Sequence, residues 1–282
     1  MSTIDDRLKK IATQEGVSRM NSLMTLLQDN EEFDGNISLF QQIVTAIIED
    51  FNIPSGEKLE LGELLNQWGD PRLKNANQDD YWVIVDELDI QVARFLVTIK
   101  EWKDFLVAGY DVEEHWSEDG WAWKNEEHPS WQELAAEETA KKYLFDNQPV
   151  VGVSWFEAEA FASFHHARLM DFYEHEKLIR GDAKRPYPWG SPFGHGNANT
   201  LEEKLGKPTA VGLYYTDSVS GQIFDLAGNV GEWMNDIVDD RRVIHPGSWD
   251  VDSLGSWAKA SSLISPSART GSIGFRLVRD IE

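Results

Sequence analysis

The stretch FDLAGNVGEW, Phe224–Trp233, decides how this sequence is read. It places one acid, Asp225, then an Ala-Gly-Asn step and a second acid, Glu232, between aromatic residues. Neither an amphipathic helix nor a half-buried strand calls for that order of residue types. A loop wound round a hard cation does. Asp225 and Glu232 supply carboxylate oxygens, and the small residues between them let backbone carbonyls turn inward. The competing reading is a glycine-containing surface turn carrying two solvated acids.

The rest of the chain narrows the class. Its 282 residues allow a sizeable core and one or two domains. A hydrophobic content of 41%, with 12 Trp and 13 Phe, belongs to a folded protein. The net charge of -23 and a pI near 4.6 argue against nucleic acid and against anionic membrane surfaces. The densest acidic part, DVEEHWSEDGWAWKNEEHPSW at 111–131, interleaves acids with Trp and reads as a solvated loop over an aromatic cluster. There is no cysteine, which excludes disulfides, thiolate metal sites and a Cys nucleophile. No apolar run approaches the roughly 18 residues of a membrane span, so no membrane insertion is expected. No basic-plus-apolar leader precedes the first helical pattern, and the expected location is cytoplasmic.

Residues 1–51 read as a helical hairpin. Ile4, Leu8 and Ile11, then Val17, Met20, Met24 and Leu27, keep a three-four spacing on either side of Gly16. NEEFDGN at 30–36 breaks the pattern, and Leu39, Phe40, Ile43, Val44, Ile47 and Ile48 restart it. The apolar stripe must be buried on the rest of the chain or on another copy; the former is expected, because a large domain follows directly. From Asn52 onward Gly and Pro recur and apolar runs shorten. YWVIVDELDIQVARFLVT (81–98) carries strand-like runs, and VTIKEWKDFLV (97–107) a helix start. PVVGVSWFEAEAFASFHHARL (149–169) passes from a strand-like run into a helix with Ser154 as N-cap candidate. Residues 182–282 read as mostly loop, which in a compact domain implies bound ions or a functional surface.

Several motifs in fixed order resemble the formylglycine-generating enzyme (sulfatase-modifying factor) family. IPSGEKLELG (53–62) looks like that family's opening strand, FLVTIKEWKDFL (95–106) its strand-to-helix segment and PVVGVSWFEAEAF (149–161) its central helix entry. RLMDFYEHEKLIRG (168–181) matches a family helix with Met170 and His175 in place of the usual Pro and Trp. YPWG, FDLAGNVGEW, HPGSWD and the closing IGFRLVRD follow. The resemblance covers 52–282 and implies an α+β, loop-rich domain of C-type-lectin-like fold, with the hairpin 1–51 outside it. It also implies structural Ca²⁺. Carried over by position, one site takes Asp225 and Glu232 with the carbonyls of Gly228 and Val230. A second takes Asn199, the Thr200 carbonyl, Glu203 and the Leu205 carbonyl. Oxygen donors of this kind suit a hard cation. Gly231 stands where the family usually has Trp.

The departures matter as much. The family's oxidases hold Cu(I) with a cysteine pair near the C-terminus, whereas SLGSWAKASSLISPSAR (253–269) has none. Only soft ligands select Cu(I), so no copper and no formylglycine formation are expected. A second branch, the iron(II)-dependent sulfoxide synthases, takes histidine ligands partly from an N-terminal helical domain; residues 1–51 contain no histidine. The histidines are His115, His128, His165, His166, His175, His195 and His245. His165 and His166 are adjacent on a helix and point about 100° apart. His195 and His245 flank loops of the presumed groove and are the residues an iron site would use. FGHGNAN (193–199) lacks the Lys-Ser/Thr of a phosphate loop, and GVSW (152–155) is no nucleophile elbow. Trp155, Trp189 and Trp249 match family core positions.

The stretch DVDSLGSWAKASSLISPSARTGS, 250–272, is rich in small polar residues, with Ser261 and Leu263 where the family often has arginines. It resembles the region that variable proteins of diversity-generating retroelements alter to change ligand specificity. The competing reading is an ordinary polar loop. The expected function is non-catalytic recognition of a protein or other macromolecule. The contacts would come from Trp249, Asp250, Asp252, Ser253, Ser256, Trp257, Lys259, Ser261, Ser262, Ser265, Ser267 and Thr270. Two alternatives remain: an iron(II)-dependent oxygenase of the sulfoxide-synthase type, and a regulatory partner of a kinase or secretion system that docks through the stripe Leu39–Ile48.

Overall fold

The computed structural model describes residues 3–281 apart from 30–34, 51–52, 68–69, 71, 127 and 138–143. The break expected at NEEFDGN, the 51/52 boundary and Glu127 of the acidic stretch fall wholly or partly outside the described residues.

Three helices, not two, form the N-terminal part: α1 (Ile4–Ala12), α2 (Gly16–Gln28) and α3 (Ile37–Ile48). A reciprocal Thr3–Asp6 capping box starts α1, and Thr13 caps its end before Gly16, whose φ is 53°, turns the chain into α2. The Asn36 side chain accepts from the Leu39 amide to begin α3. A fourth helix, α4 (Ser55–Gln67), occupies the segment expected to be the opening strand. That expectation rests on the family resemblance alone. The spacing of Leu61, Leu64 and Leu65 prevails, because it presents one apolar edge to the core.

Leu8, Met20, Phe40, Ile43, Val44, Ile47, Leu61 and Leu65 share one apolar cluster with Ala210, Leu213, Tyr214 and Phe224 of the following domain. The helical stripe is therefore buried on this chain, with Ile43 and Ile47 at 2% and 1% exposure. It is not the free docking face that the kinase-partner alternative required.

The remainder is built from short elements. They are β1 (Trp82–Val85), β2 (Ile90–Ala93), α5 (Ile99–Ala108), α6 (Glu118–Lys124), α7 (Trp131–Ala135), α8 (Trp155–Phe164), β3 (Arg168–Leu169) and α9 (Phe172–Arg180). After a loop-rich stretch come β4 (Ser218–Val219), β5 (Ile223–Phe224), β6 (Gly231–Val238), β7 (Arg241–His245), β8 (Ser262–Ile264), β9 (Ile273–Gly274) and β10 (Leu277–Asp280). One antiparallel sheet runs β1-β2-β10-β3, so the last strand pairs with β2 near the start of the domain. A second runs β8-β7-β6-β9, with β6 and β9 parallel. Capping boxes Thr98–Glu101 and Ser154–Glu157 start α5 and α8. Both helices close on an aromatic core of Trp102, Phe105, Phe161, Trp233 and Phe275. This mixed helix-and-sheet architecture with long ordered loops is the α+β, lectin-like class expected.

Candidate functional site

The loop 225–230 joins β5 to β6, and three buried polar side chains shape it. Asn229, at φ 68°, accepts the Thr209 amide at 2.9 Å on its side-chain oxygen, and its own amide donates to the Asn199 carbonyl at 2.8 Å. This residue is a clamp between segments 20 and 30 positions away, not a hinge in the cation loop. Gly228 is required beside it, since a Cβ there would lie 2.8 Å from the Asn199 carbonyl oxygen. At Gly231 a Cβ would lie 2.8 Å from the His245 carbonyl oxygen, so β6 and β7 meet closely where family members carry Trp.

The two acids of the loop sit in different electrostatic settings. Asp225 Oδ2 accepts the Gly212 amide at 2.7 Å, while the buried Oδ1 has no partner. Asp217 lies against it, with Oδ1 accepting the Ala227 amide at 2.8 Å and Oδ2 unpartnered. Burial first, and then the charge of Asp225, pushes the Asp217 carboxyl well above its usual range. Burial raises Asp225 to about 6. Glu232 is the opposite case. Burial disfavours its charge, but the Arg276 guanidinium, 3.1 Å away, overcomes this and holds it at about 2.

Arg276 is 1% exposed. Besides Glu232 it donates to the carbonyls of Ala93 at 3.1 Å and Phe224 at 2.6 Å, with longer bonds to Arg94 and Asp225 at 3.4 Å. One side chain thus ties β2, β5, β6 and the segment leading into β10 together. Behind Glu232 lies a second buried pair. His175 and His245 have ring centroids 4.4 Å apart, and His175 Nε2 is 3.7 Å from Glu232 Oε1. His245 Nε2 lies 3.2 Å from the Trp257 carbonyl. Sequence reading gave no role to Arg276, Asn229 or Asp217, and noted His175 only as a departure from the family's Trp. Their only signal was position inside or beside a motif, because the partners that bury them are remote in sequence.

Each candidate calcium set contributes one unpartnered buried oxygen and one carboxylate already bonded. Asp225 Oδ1 and Asn199 Oδ1 are the unpartnered atoms. Glu232 is held by Arg276, and Glu203 is bonded to the Ser55 hydroxyl and to the Gly196 amide at 2.6 Å. The Thr200 carbonyl accepts the Glu203 amide at 3.0 Å, and Leu205 is half-buried. Gly228 and Val230 are buried within the first loop. Among the described residues, no three His, Asp or Glu side chains converge on one metal position. The two histidines considered for iron sit in unlike places: His195 is 78% exposed beside Glu203, and His245 is buried against His175.

The 249–272 stretch forms a surface resting on this interior. Asp250, Asp252, Trp257, Lys259, Ser261, Ser262, Ser265 and Ser267 are exposed. Ser253 and Thr270 are half-buried, as is Trp249, whose indole donates to the Gly271 carbonyl at 3.3 Å. Ser256 is a correction: it is 0% exposed, and its hydroxyl bonds the Asp252 carbonyl at 3.3 Å, so it supports the loop from within. Trp155 is a core residue at 2% exposure, whereas Trp189 is only half-buried and stacks on Tyr187 at 5.0 Å. From below, the Tyr187 hydroxyl donates to the Ser253 carbonyl at 2.9 Å, and the Ala258 amide donates to the Pro186 carbonyl at 2.9 Å. Sequence reading also missed Leu254, which is 74% exposed and lies among these residues.

A family model described as the sulfatase-modifying factor enzyme 1-like domain matches residues 69–281. The chain belongs to that family. It is 29% identical over 217 residues to the hercynine oxygenase of Mycobacterium tuberculosis, covering 68% of this chain and 51% of that protein. It is 29% identical over 148 residues to the inactive C-alpha-formylglycine-generating enzyme 2 of Bos taurus, covering 45% of this chain and 49% of that protein. The chain thus spans about half the length of these curated relatives. Among solved structures, the Treponema denticola variable protein 1 overlays with a TM-score of 0.47 at 17% identity, covering 68% of this chain and 84% of that one.

The buried histidine sets a pH dependence. Burial, and then the neighbouring His175, lowers His245 from its ordinary 6.5 to about 3, so the folded protein holds it neutral. Glu232 and the Trp257 carbonyl favour its charge but are outweighed. The stability this neutrality provides is complete above pH 6.5 and is lost as pH falls toward 3. Asp225, raised to about 6, acts with the opposite sign, its contribution being lost as pH rises. His245→Gln isolates the first effect. Urea unfolding of this variant is expected to show a shallower acid decline than the parent, and equal slopes would contradict the assignment.

Proposed function

We propose that this chain is a ligand-binding member of its family, recognising a protein or other macromolecule through the 249–272 surface without redox chemistry of its own. The observation that carries the reading is the exposure of Leu254 at 74%, Trp257 at 44% and Leu263 at 41% in a frame of serines. Large apolar side chains held in water on an ordered loop are the anchors from which interface energy comes, and small polar neighbours supply adaptable hydrogen bonds. Lys259 and Asp252 provide charge at the margin. Diversification of this stretch is the finer form of the proposal. A reverse-transcriptase gene beside a near-copy of the 3′ end would support it, and uniform sequences across strains would oppose it.

Oxygenase chemistry is the second reading, favoured by the likeness to proteins named hercynine oxygenase. The unlike settings of His195 and His245 weigh against it. Two arms separate the readings. The purified chain, its Trp257→Ala variant and its Leu263→Ser variant are immobilised, and proteins retained from the source proteome are compared by quantitative mass spectrometry. A partner held by the parent and lost at least about tenfold by both variants, at unchanged melting temperature, supports recognition. In the other arm, consumption of hercynine by the Fe(II)-loaded chain with O₂ and a thiol would overturn it.

The loop beneath this surface is proposed to take structural Ca²⁺ at Asp225, whose unpartnered Oδ1 is the donor in hand, with the carbonyls of Gly228 and Val230. When bound, the ion would supply positive charge to the buried Asp225 carboxylate. EDTA is then expected to lower the melting temperature at pH 7.5 and Ca²⁺ to restore it, with the increment shrinking below about pH 6, where Asp225 takes a proton. A melt indifferent to EDTA and Ca²⁺ at both pH values would remove the ion from the account.

A further inference from the structure

In a chain of net charge -23, three cations gather on one cleft where α3 meets the lectin-like domain. Arg72, Lys74 and Arg94 line it together with Phe95 and Tyr215, and Glu49 stands at the exposed end of α3. Two of the cations are neutralised locally. Arg72 forms a two-point pair with Asp70 at 2.9 and 2.6 Å, and Lys74 lies 3.3 Å from Asp80. Arg94 differs. It is half-buried, it makes no ion pair among the described residues, and its recorded side-chain bond runs from Nη1 to the Gln222 carbonyl at 3.2 Å. Burial draws its guanidinium below the ordinary pKa, with Asp80 as the partial offset.

A half-buried guanidinium with donors still open to solvent is placed to take an anion through charge-assisted hydrogen bonds. The cleft around it offers about 280 Å³ of space, at the small end of ligand pockets. Its apolar wall is aromatic: the Phe95 and Phe224 rings lie 5.5 Å apart, tilted by 35°, and Tyr215 and Phe224 are 6.5 Å apart. We propose that this cleft binds a small anion, a carboxylate or phosphate carried on one flat apolar ring, with Arg94 taking the anion and Phe95 and Tyr215 the ring. The site is separate from the 249–272 surface but reaches the loop beneath it. Arg72 Nη1 donates to the Gly212 carbonyl at 3.0 Å, and the Gly212 amide donates to Asp225. The Arg94 carbonyl accepts the Phe224 amide at 3.0 Å.

The test uses the full chain with benzoate, phenyl phosphate and neutral benzyl alcohol, read by isothermal titration and by melting temperature. Saturable one-to-one binding of benzoate, of phenyl phosphate or of both is expected, together with a raised melting temperature. Benzyl alcohol should bind at least about tenfold more weakly. Benzoate alone would assign a carboxylate ligand and phenyl phosphate alone a phosphate. Arg94→Gln should weaken the bound anion about tenfold or more, and Lys103→Gln, the same charge change at a remote exposed lysine, should leave it unchanged. If Arg94→Gln does not fold, Arg94→Lys replaces it, and loss of the two-point fork should still weaken binding. Absence of saturable binding by either anion, equal binding of benzyl alcohol, or undiminished binding by the Arg94 variant would overturn the proposal.

Discussion

The buried guanidinium of Arg276 is the point on which this structure turns. A charge removed from water must be paired and fully hydrogen-bonded or it destabilises the fold. Arg276 meets that requirement by drawing in groups from three separate parts of the chain: Glu232 of β6, the Phe224 carbonyl of β5 with the adjacent Asp225 carbonyl at longer range, and the Ala93 carbonyl of β2. The pairing orients Glu232 toward the chain's own cation. Asp225 and the neighbouring Asp217 have no such pairing, so burial raises their carboxyls, whereas the adjacent Arg276 charge depresses that of Glu232.

The recognition surface inherits its order from this interior. Glu232 faces His175, the His175 ring packs at a tilt against that of His245, and the His245 ring meets the carbonyl of Trp257, whose side chain is partly exposed. On the other flank the Tyr187 hydroxyl and the Pro186 carbonyl hold Ser253 and Ala258. An anchor side chain on a backbone fixed at both ends loses little further freedom on binding. This is the physical sense in which the surface suits the recognition role proposed for it.

What the sequence disclosed followed the range of the interactions. Thr98–Glu101 and Ser154–Glu157 announce their helices because a capping box is complete within four residues. The ordered motifs from YPWG to IGFRLVRD placed the domain in its family for the same local reason. By contrast, the resemblance puts a strand where α4 stands, because the apolar edge of that helix is justified by partners outside the segment, Met20 and Leu23 of α2 as well as Ala210 and Leu213. The loops of 182–230 gave no sign of order, since Asn229 fixes them through Asn199 and Thr209. Nothing marks Arg276 as buried between Phe275 and Leu277, because arginine is ordinarily a solvated residue. Ser256 looked identical to its exposed neighbours until the turn placed it inward.

The most direct test is a double-mutant cycle on the central pair, with Glu232→Gln, Arg276→Met and the double variant unfolded in urea beside the parent. Each single change leaves a buried partner uncompensated, and the account predicts a coupling energy of at least about 2 kcal/mol, with the double variant less destabilised than the two losses summed. Additivity within about 0.5 kcal/mol would show that the two residues act independently. Arg276 would then not be the constraint that organises the loop and the surface above it.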